Sequence, residues 1–134
     1  MPSIFSKIIA GEIPCYKVAE SSEYFAFLDI NPVQKGHCLV VPKKEIDYLF
    51  DLDDATLTGL MVFAKRVALA LEKVVSCERI GMTVLGLEVP HAHVHLVPLD
   101  ERGTIRFSDK KQIGEVEMKA IAAAISQAFD EDQG

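Results

Sequence analysis

The stretch Val89-Pro90-His91-Ala92-His93-Val94-His95-Leu96-Val97-Pro98 holds three of the chain's four histidines at alternate positions. Successive side chains of a β-strand point to opposite faces, so we expect the three imidazoles to share one face of a strand. The apolar residues between them would then face a core. A row of imidazoles on an otherwise apolar strand costs stability unless it binds something. The stretch therefore predicts a functional site.

The length and net charge of the chain limit the size of the fold and the class of ligand that the site can bind. With 134 residues and 49% hydrophobic content, residues 1–134 are expected to form one domain. Within it we predict a core over about 1–110, a C-terminal helix over 114–129 and a frayed tail over 130–134. The net charge of −6 argues against binding to a nucleic-acid polymer, whose affinity depends on cationic neutralisation of phosphates. A small phosphorylated ligand remains compatible with this charge.

The sequence also predicts a cytoplasmic protein that does not interact with membranes. No apolar stretch approaches the roughly 20 residues that span a bilayer, and the N-terminus lacks the pattern of a signal peptide. Cys15, Cys38 and Cys77 are odd in number and far apart. They are expected to be free thiols in a reducing compartment.

Hydrophobic periodicity predicts an α+β fold with antiparallel strand pairing. Ser3 is placed to cap a short helix that Gly11 and Pro14 end. A long helix is expected to begin at the acidic run 51–54 and to continue to Val74, and the last helix to cover Glu115 to Phe129. The predicted strands are Tyr16 to Ala19, Glu23 to Ile30, Cys38 to Val41, Ile80 to Leu85 and the histidine run.

Two chemistries fit a row of imidazoles: metal ligation and nucleophilic attack on phosphorus. His91, His93 and His95 would spread over roughly 13 Å of strand, too far for all three to bind one ion comfortably, although two of them could. A nucleophilic histidine needs a neutral ring nitrogen, a neighbour that fixes its tautomer, and donors around the phosphate oxygens. Spacing alone leaves both chemistries open.

Four ordered blocks of the chain resemble the histidine triad (HIT) family of nucleotide hydrolases and transferases. Residues His91 to Val97 fit its signature His-φ-His-φ-His-φ-φ, in which φ is apolar. The other three blocks are Ile4 to Pro14, Ala26 to Pro32 and Gly36 to Lys43. The resemblance implies a HIT-like fold, in which a five-stranded antiparallel sheet has flanking helices. It also implies a homodimer whose two sheets join.

The resemblance further implies a reaction and the residues that perform it. His93 would attack the α-phosphate of a nucleoside phosphoramidate, phosphate ester or dinucleoside polyphosphate. Water would then release a nucleoside monophosphate from the covalent nucleotidyl-histidine. His91 and His95 would contact phosphate oxygens or orient the nucleophile, with His37 as an additional histidine near the pocket. No metal or other cofactor is required for this reaction.

For the nucleotide, the resemblance implies that Asp29 accepts hydrogen bonds from the ribose hydroxyls. Apolar walls would contact a purine base; they are Phe5, Ile8, Ile13, Phe27 and Ile30. Judged from the residues alone, Asp29 is equally suited to the turn before Asn31-Pro32, and the apolar side chains to an ordinary core.

The chain departs from the family pattern in two places. Ser3, Ser6 and Glu45 stand where many bacterial members have two cysteines and a histidine of a structural zinc site, so zinc is not expected. The loop before the triad, Gly86 to Pro90, lacks the family's polar donors and carries Glu88 instead. A carboxylate there would repel a phosphate unless it were paired, protonated or turned away. Two alternatives therefore stay open: a non-catalytic nucleotide-sensing dimer, and a metal-dependent enzyme that uses two triad histidines.

Overall fold

A computed structural model of the chain describes residues 2–101 and 105–133. The helices are α1 Ile4–Ile9, α2 Asp54–Val74 and α3 Glu115–Gln133, and a short 3-10 helix covers Leu49–Asp51. The strands are β1 Lys17–Glu20, β2 Tyr24–Leu28, β3 Cys38–Pro42, β4 Arg79–Thr83 and β5 Val94–Leu99. In the part of the chain described, no helix is long and apolar enough to cross a membrane.

The five strands form one antiparallel sheet in the order β1-β2-β3-β5-β4, which confirms the predicted fold class. One face packs against α2 and α3 and forms the larger core. The other face carries a smaller apolar cluster that includes Phe5 from α1 and Phe27 and Leu39 from the sheet. His95 pairs with Leu39 across β5 and β3, so its side chain lies on this second face.

The prediction that the whole histidine run forms a strand is wrong, because β5 begins only at Val94. The His91 N–H donates to the carbonyl of Val89 at 2.8 Å, which closes a local turn. The Ala92 N–H donates to Ile46 at 2.7 Å rather than to β3. His91 and His93 therefore lie in an irregular segment, and His95 is the one triad histidine inside the strand.

The predicted fraying of residues 130–134 is also wrong for residues 130–133, because α3 continues to Gln133. The carboxylate of Asp132 pairs with the ammonium of Lys73 on α2. Gln127 donates to Glu131 within the last turns at 3.2 Å. These contacts hold the end of the helix against α2; Gly134 lies outside the described residues.

Helices α1 and α2 begin at the predicted capping residues. Asp53, at the end of the acidic run, is the N-cap of α2, and its carboxylate accepts the Thr56 N–H at 2.7 Å. In the same way Ser3 caps α1 through the Ser6 N–H at 3.0 Å. The capping residues therefore fix where α1 starts, and α1 supplies one wall of the site.

Candidate active site

The backbone fixes the tautomer of His93. Its Nδ1 lies 2.7 Å from the carbonyl oxygen of His91. A carbonyl oxygen can only accept a hydrogen bond, so Nδ1 carries the proton. In the neutral ring, Nε2 then keeps its lone pair, which is the state a nucleophilic imidazole needs.

A second chain of hydrogen bonds fixes the tautomer of His95. The Val33 N–H donates to Nδ1 of His37 at 3.2 Å, so the proton of a neutral His37 is on Nε2. That Nε2–H donates to Nδ1 of His95 at 3.0 Å. His95 must then carry its own proton on Nε2. Its ring centroid is 5.1 Å from that of His93, so a lone pair and an N–H donor are presented side by side.

Burial keeps His37 and His95 neutral at neutral pH. Burial, together with the smaller effect of the Lys110 charge, lowers the pKa of His37 to about 4. Burial, followed by the charges of His93, His37 and Lys110, lowers the pKa of His95 to about 3. Burial also lowers the pKa of His91. The hydrogen-bond directions that require neutral His37 and His95 rings are therefore maintained at neutral pH.

These shifts predict that the protein loses stability in mild acid. An unfolded chain takes up protons on its histidines near pH 6.5, whereas folded His37 and His95 do so only near pH 4 and pH 3. Below pH 6.5 the unfolded state thus binds more protons. Each of the two histidines should lower the free energy of unfolding by up to about 1.4 kcal/mol per pH unit. Urea unfolding at about pH 7 and about pH 5 measures the slope, and His37→Gln should reduce it; an equal slope in the variant would contradict the assignment.

Eight of the ten predicted site residues line one cleft of about 230 Å³. They are Phe5, Ile8, Ile13, Phe27, Asp29, Ile30, His93 and His95. His37 and His91 lie behind this lining and contact it through His95 and His93. Phe5 and Phe27 are almost fully buried and belong to the smaller core cluster, so they are core residues as well as walls.

Asp29 forms the turn that its sequence context suggests, and it also lines the cleft. Its Oδ1 accepts the Asn31 N–H at 2.8 Å, which forms the turn before Pro32. Asp29 also belongs to the cleft lining, and its Oδ2 lies 3.6 Å from Nε2 of His37. Burial raises the pKa of Asp29, and the Asn31 hydrogen bond opposes that rise. The turn thus leaves one carboxylate oxygen free to accept from a ligand.

Within residues 2–101 and 105–133, one group of side chains is close enough to bind a metal ion together. The candidate ligand atoms of Asp29, His37 and His95 lie within 4.8 Å of one another. However, both nitrogens of His37 are engaged, Nδ1 as the acceptor from Val33 and Nε2 as the donor to His95. A neutral imidazole has one lone pair on nitrogen, so His37 could ligate a metal only if one of these bonds broke. The geometry thus favours hydrogen bonding over metal ligation.

The residues at the possible zinc position are joined to one another by hydrogen bonds. Glu45 Oε1 accepts the Ser3 N–H at 2.7 Å and the Ser6 hydroxyl at 2.6 Å. Nδ1 of His91 lies 2.8 Å from the Ser3 hydroxyl, and its Nε2 lies 2.7 Å from the carbonyl of Pro42. Two serine hydroxyls and a fully bonded imidazole do not fit the tetrahedral thiolate and imidazole set of structural zinc.

Sequence reasoning missed a segment after β5 that covers the histidines. The Phe107 ring lies 4.7 Å from the ring of His95 and 5.9 Å from that of His37. Lys110 is placed over Phe107, 5.4 Å from the ring centroid. Lys111 anchors the segment through its N–H to the carbonyl of Pro32 at 2.7 Å. The one available signal was an isolated aromatic residue in a polar stretch, which no periodicity connects to the triad.

The charge of the cleft itself is negative. Glu88 and Asp29 line it, and the described lining residues include neither lysine nor arginine. The groups available to an anion in the cleft are therefore imidazole N–H groups and backbone amides, with Lys110 as a cation close to the histidines.

Comparisons with known proteins show which family and which fold the chain resembles. The sequence model of the HIT domain family matches residues 10–102. The chain is 35% identical over 130 residues to adenosine 5'-monophosphoramidase hnt1 of Schizosaccharomyces pombe, covering 94% of this chain and 97% of that protein. It is 41% identical over 96 residues to adenosine 5'-monophosphoramidase HNT1 of Saccharomyces cerevisiae, covering 71% of this chain and 61% of that protein. A solved structure of a hypothetical histidine triad nucleotide-binding protein from Sulfolobus tokodaii superposes with a TM-score of 0.85 at 27% identity, covering 96% of this chain and 92% of that one.

Proposed function

This chain belongs to the HIT family, and on that premise we propose that it cleaves nucleotides at the α-phosphate through a covalent nucleotidyl-His93. It acts as a hydrolase or nucleotidyl transferase on a purine nucleoside phosphoramidate, phosphate ester or dinucleoside polyphosphate. Phosphoramidates rank first because two yeast relatives carry the name adenosine 5'-monophosphoramidase.

The observation that carries the proposal is the pairing of the His93 Nε2 lone pair with the His95 Nε2–H beside one cleft. His93 Nε2 attacks phosphorus, and the P–N bond breaks. The amine leaves with its electron pair and takes up a proton from water, while the His95 N–H stabilises the phosphate oxygens. In the second half, water attacks phosphorus, the bond to Nε2 breaks, and the nucleoside monophosphate and a proton are released.

In this proposal Asp29 binds the ribose and the apolar walls bind the base. Asp29 lines the cleft, and its Oδ2, which the turn does not use, accepts from the 2′- and 3′-hydroxyls. Ile8, Ile13 and Ile30 supply apolar contact to the purine beside Phe5 and Phe27. Such walls discriminate weakly between bases.

We expect Asp29→Asn to raise KM about tenfold and to leave kcat within about threefold, because a charge-assisted hydrogen bond to the ribose is lost in ground and transition states alike. Steady-state kinetics with an adenosine phosphoramidate measures this. The control is the same substrate without its 2′- and 3′-hydroxyls, on which wild type and variant should match. An equal rise in KM on both substrates would show that Asp29 acts only through the turn and does not bind the ribose.

Glu88 favours a second candidate function, a dimer that binds nucleotides as a sensor without turning them over. Its carboxylate lines the same cleft as His93 and opposes an anionic transition state. If wild type binds a nucleotide but releases no monophosphate, and Glu88→Gln does release it, the sensing function stands. Turnover by wild type excludes it.

We also propose a homodimer in which two sheets join through β4. This strand is one edge of the sheet, so one side of its backbone is free to pair. Met82, Leu85 and Leu87 on and after it are exposed apolar side chains. Light scattering should give twice the mass of the chain, and Met82→Lys should shift the equilibrium to monomer. A monomeric wild type at micromolar concentration would overturn this assembly.

A further inference from the structure

We propose that Ser3 and Glu45 are positioning residues for the nucleophile and act on His93 through His91. The inference rests on the proposed function, since it assumes that His93 attacks phosphorus. It concerns four side chains that come from three separate regions of the sequence and meet behind the cleft: Ser3, Ser6, Glu45 and His91.

His91 is held at both ring nitrogens although it does not line the cleft. Nε2 donates to the carbonyl of Pro42 at 2.7 Å, so Nδ1 of the neutral ring must accept. The partner of Nδ1 is the Ser3 hydroxyl at 2.8 Å. His91 is fully buried and Ser3 is 5% exposed, so water does not readily replace either bond. Such an arrangement fixes the orientation of a residue rather than its reactivity.

Ser3 is itself held by Glu45. The carboxylate oxygen Oε1 accepts the Ser3 N–H at 2.7 Å, and the same oxygen accepts the Ser6 hydroxyl at 2.6 Å. The hydrogen bond from the Ser3 backbone has the largest effect on the pKa of Glu45, followed by that from the Ser6 hydroxyl. Both keep this pKa below its ordinary value, so Glu45 stays ionised at neutral pH. The Ser3 hydroxyl lies 3.3 Å from the Ser6 hydroxyl and 2.8 Å from Nδ1 of His91. Its one proton is directed to His91, because that contact is shorter and Nδ1 there has to accept.

The carbonyl of His91 needs this support because it lies outside the sheet. The strand begins three residues later at Val94, and the N–H of His91 is used in a local turn with Val89. The two ring contacts and the Ala92 N–H bond to Ile46 are therefore what fix residue 91. Its carbonyl accepts Nδ1–H of His93 at 2.7 Å and so places the lone pair on Nε2. If His91 turns, His93 loses the partner that sets its tautomer.

The hydrogen bonds between Glu45 and Ser3 also affect His93 through α1. Ser3 caps α1, and Phe5 on α1 packs edge-on against the rings of His91 at 5.8 Å and His93 at 5.0 Å. Glu45 therefore anchors both the wall that contacts the nucleophile and the residue that orients it.

The experiment compares Ser3→Ala, Ser3→Thr and Glu45→Ala with Asp53→Ala. The last removes an N-cap of the same kind from α2, away from the site, and controls for lost helix stability. We expect Ser3→Ala and Glu45→Ala to lower kcat about tenfold with KM within about threefold, because misplacing a reacting group mainly slows the chemical step. Ser3→Thr keeps the hydroxyl and should restore most of kcat, and Asp53→Ala should retain wild-type kcat.

A second readout does not depend on turnover. Nitrogen-15 NMR of the imidazoles distinguishes Nδ1–H from Nε2–H rings, and wild type should show Nε2–H for His91 and Nδ1–H for His93. In Ser3→Ala the His93 signal should move toward a mixture of tautomers, whereas in Asp53→Ala it should not. Unchanged His93 tautomers and kcat in folded Ser3→Ala and Glu45→Ala would overturn the positioning role. If wild type turns over no substrate, the proposed function fails. The change of the His93 tautomer in Ser3→Ala still decides whether Ser3 and Glu45 orient His93.

Discussion

His93→Ala is expected to lower kcat by about 10⁴-fold or more on an adenosine phosphoramidate while the protein still binds the nucleotide. The side chain supplies the one imidazole lone pair that the hydrogen bonds of the four histidines leave free, and alanine leaves no group to form the covalent bond. Release of adenosine monophosphate measures turnover, and calorimetric titration with the monophosphate product measures binding.

The matched control is His95→Ala, which removes a hydrogen-bond donor to the phosphate but leaves the nucleophile. It should retain slow turnover, with a kcat about 10²-fold below that of wild type. His93→Ala should therefore have the lower kcat of the two variants. If His93→Ala kept activity equal to that of His95→Ala, the reaction would not proceed through His93.

The second large effect is expected from a pair of substitutions at His37, because its two nitrogens do different work. Nδ1 accepts from Val33, and Nε2 donates to Nδ1 of His95. The amide nitrogen of glutamine reaches about the position of Nε2 and can still donate to His95, whereas asparagine is too short. We expect His37→Asn to lower kcat about 100-fold, since His95 loses its tautomer, and His37→Gln to lower it less than about tenfold.

Thermal unfolding separates this effect from loss of the fold. His37 is fully buried, so both variants should be less stable than wild type, and kinetics is measured well below either midpoint. The prediction concerns the ratio of kcat between His37→Gln and His37→Asn at a temperature where both variants are folded. A His37→Gln variant as impaired as His37→Asn would show that the hydrogen bond to His95 is not what His37 contributes.

Local pattern was sufficient to predict the strands and the helices, whereas most of the cleft followed from the family resemblance. β2 and β3 are bounded by turn residues, α2 has an apolar stripe and an acidic cap, and these signals depend on neighbours in sequence. The family resemblance then selected eight residues that line one cleft. From sequence Asp29 could be assigned to a turn or to a ligand. The structure places its Oδ1 in the turn and the residue in the cleft lining, which is compatible with both assignments.

What could not be predicted depends on partners far away in the sequence. The segment around His91 leaves the strand because the Ala92 N–H bonds to Ile46. Phe107 reaches His95 because Lys111 is bound to Pro32, a contact that no periodicity encodes. The end of α3 is held by Lys73 on another helix. The tautomers of the histidines could not be predicted either, since each one follows from the donor or acceptor that the fold places against the ring.

The most direct test of the central claim is intact-mass spectrometry of the protein quenched during turnover of an adenosine phosphoramidate. Wild type should gain the mass of one adenylyl group, His95→Ala should accumulate the same adduct, and peptide mapping should place it on His93. Adenosine monophosphate release by wild type without any adduct, or an adduct that persists in His93→Ala, would contradict covalent catalysis by His93.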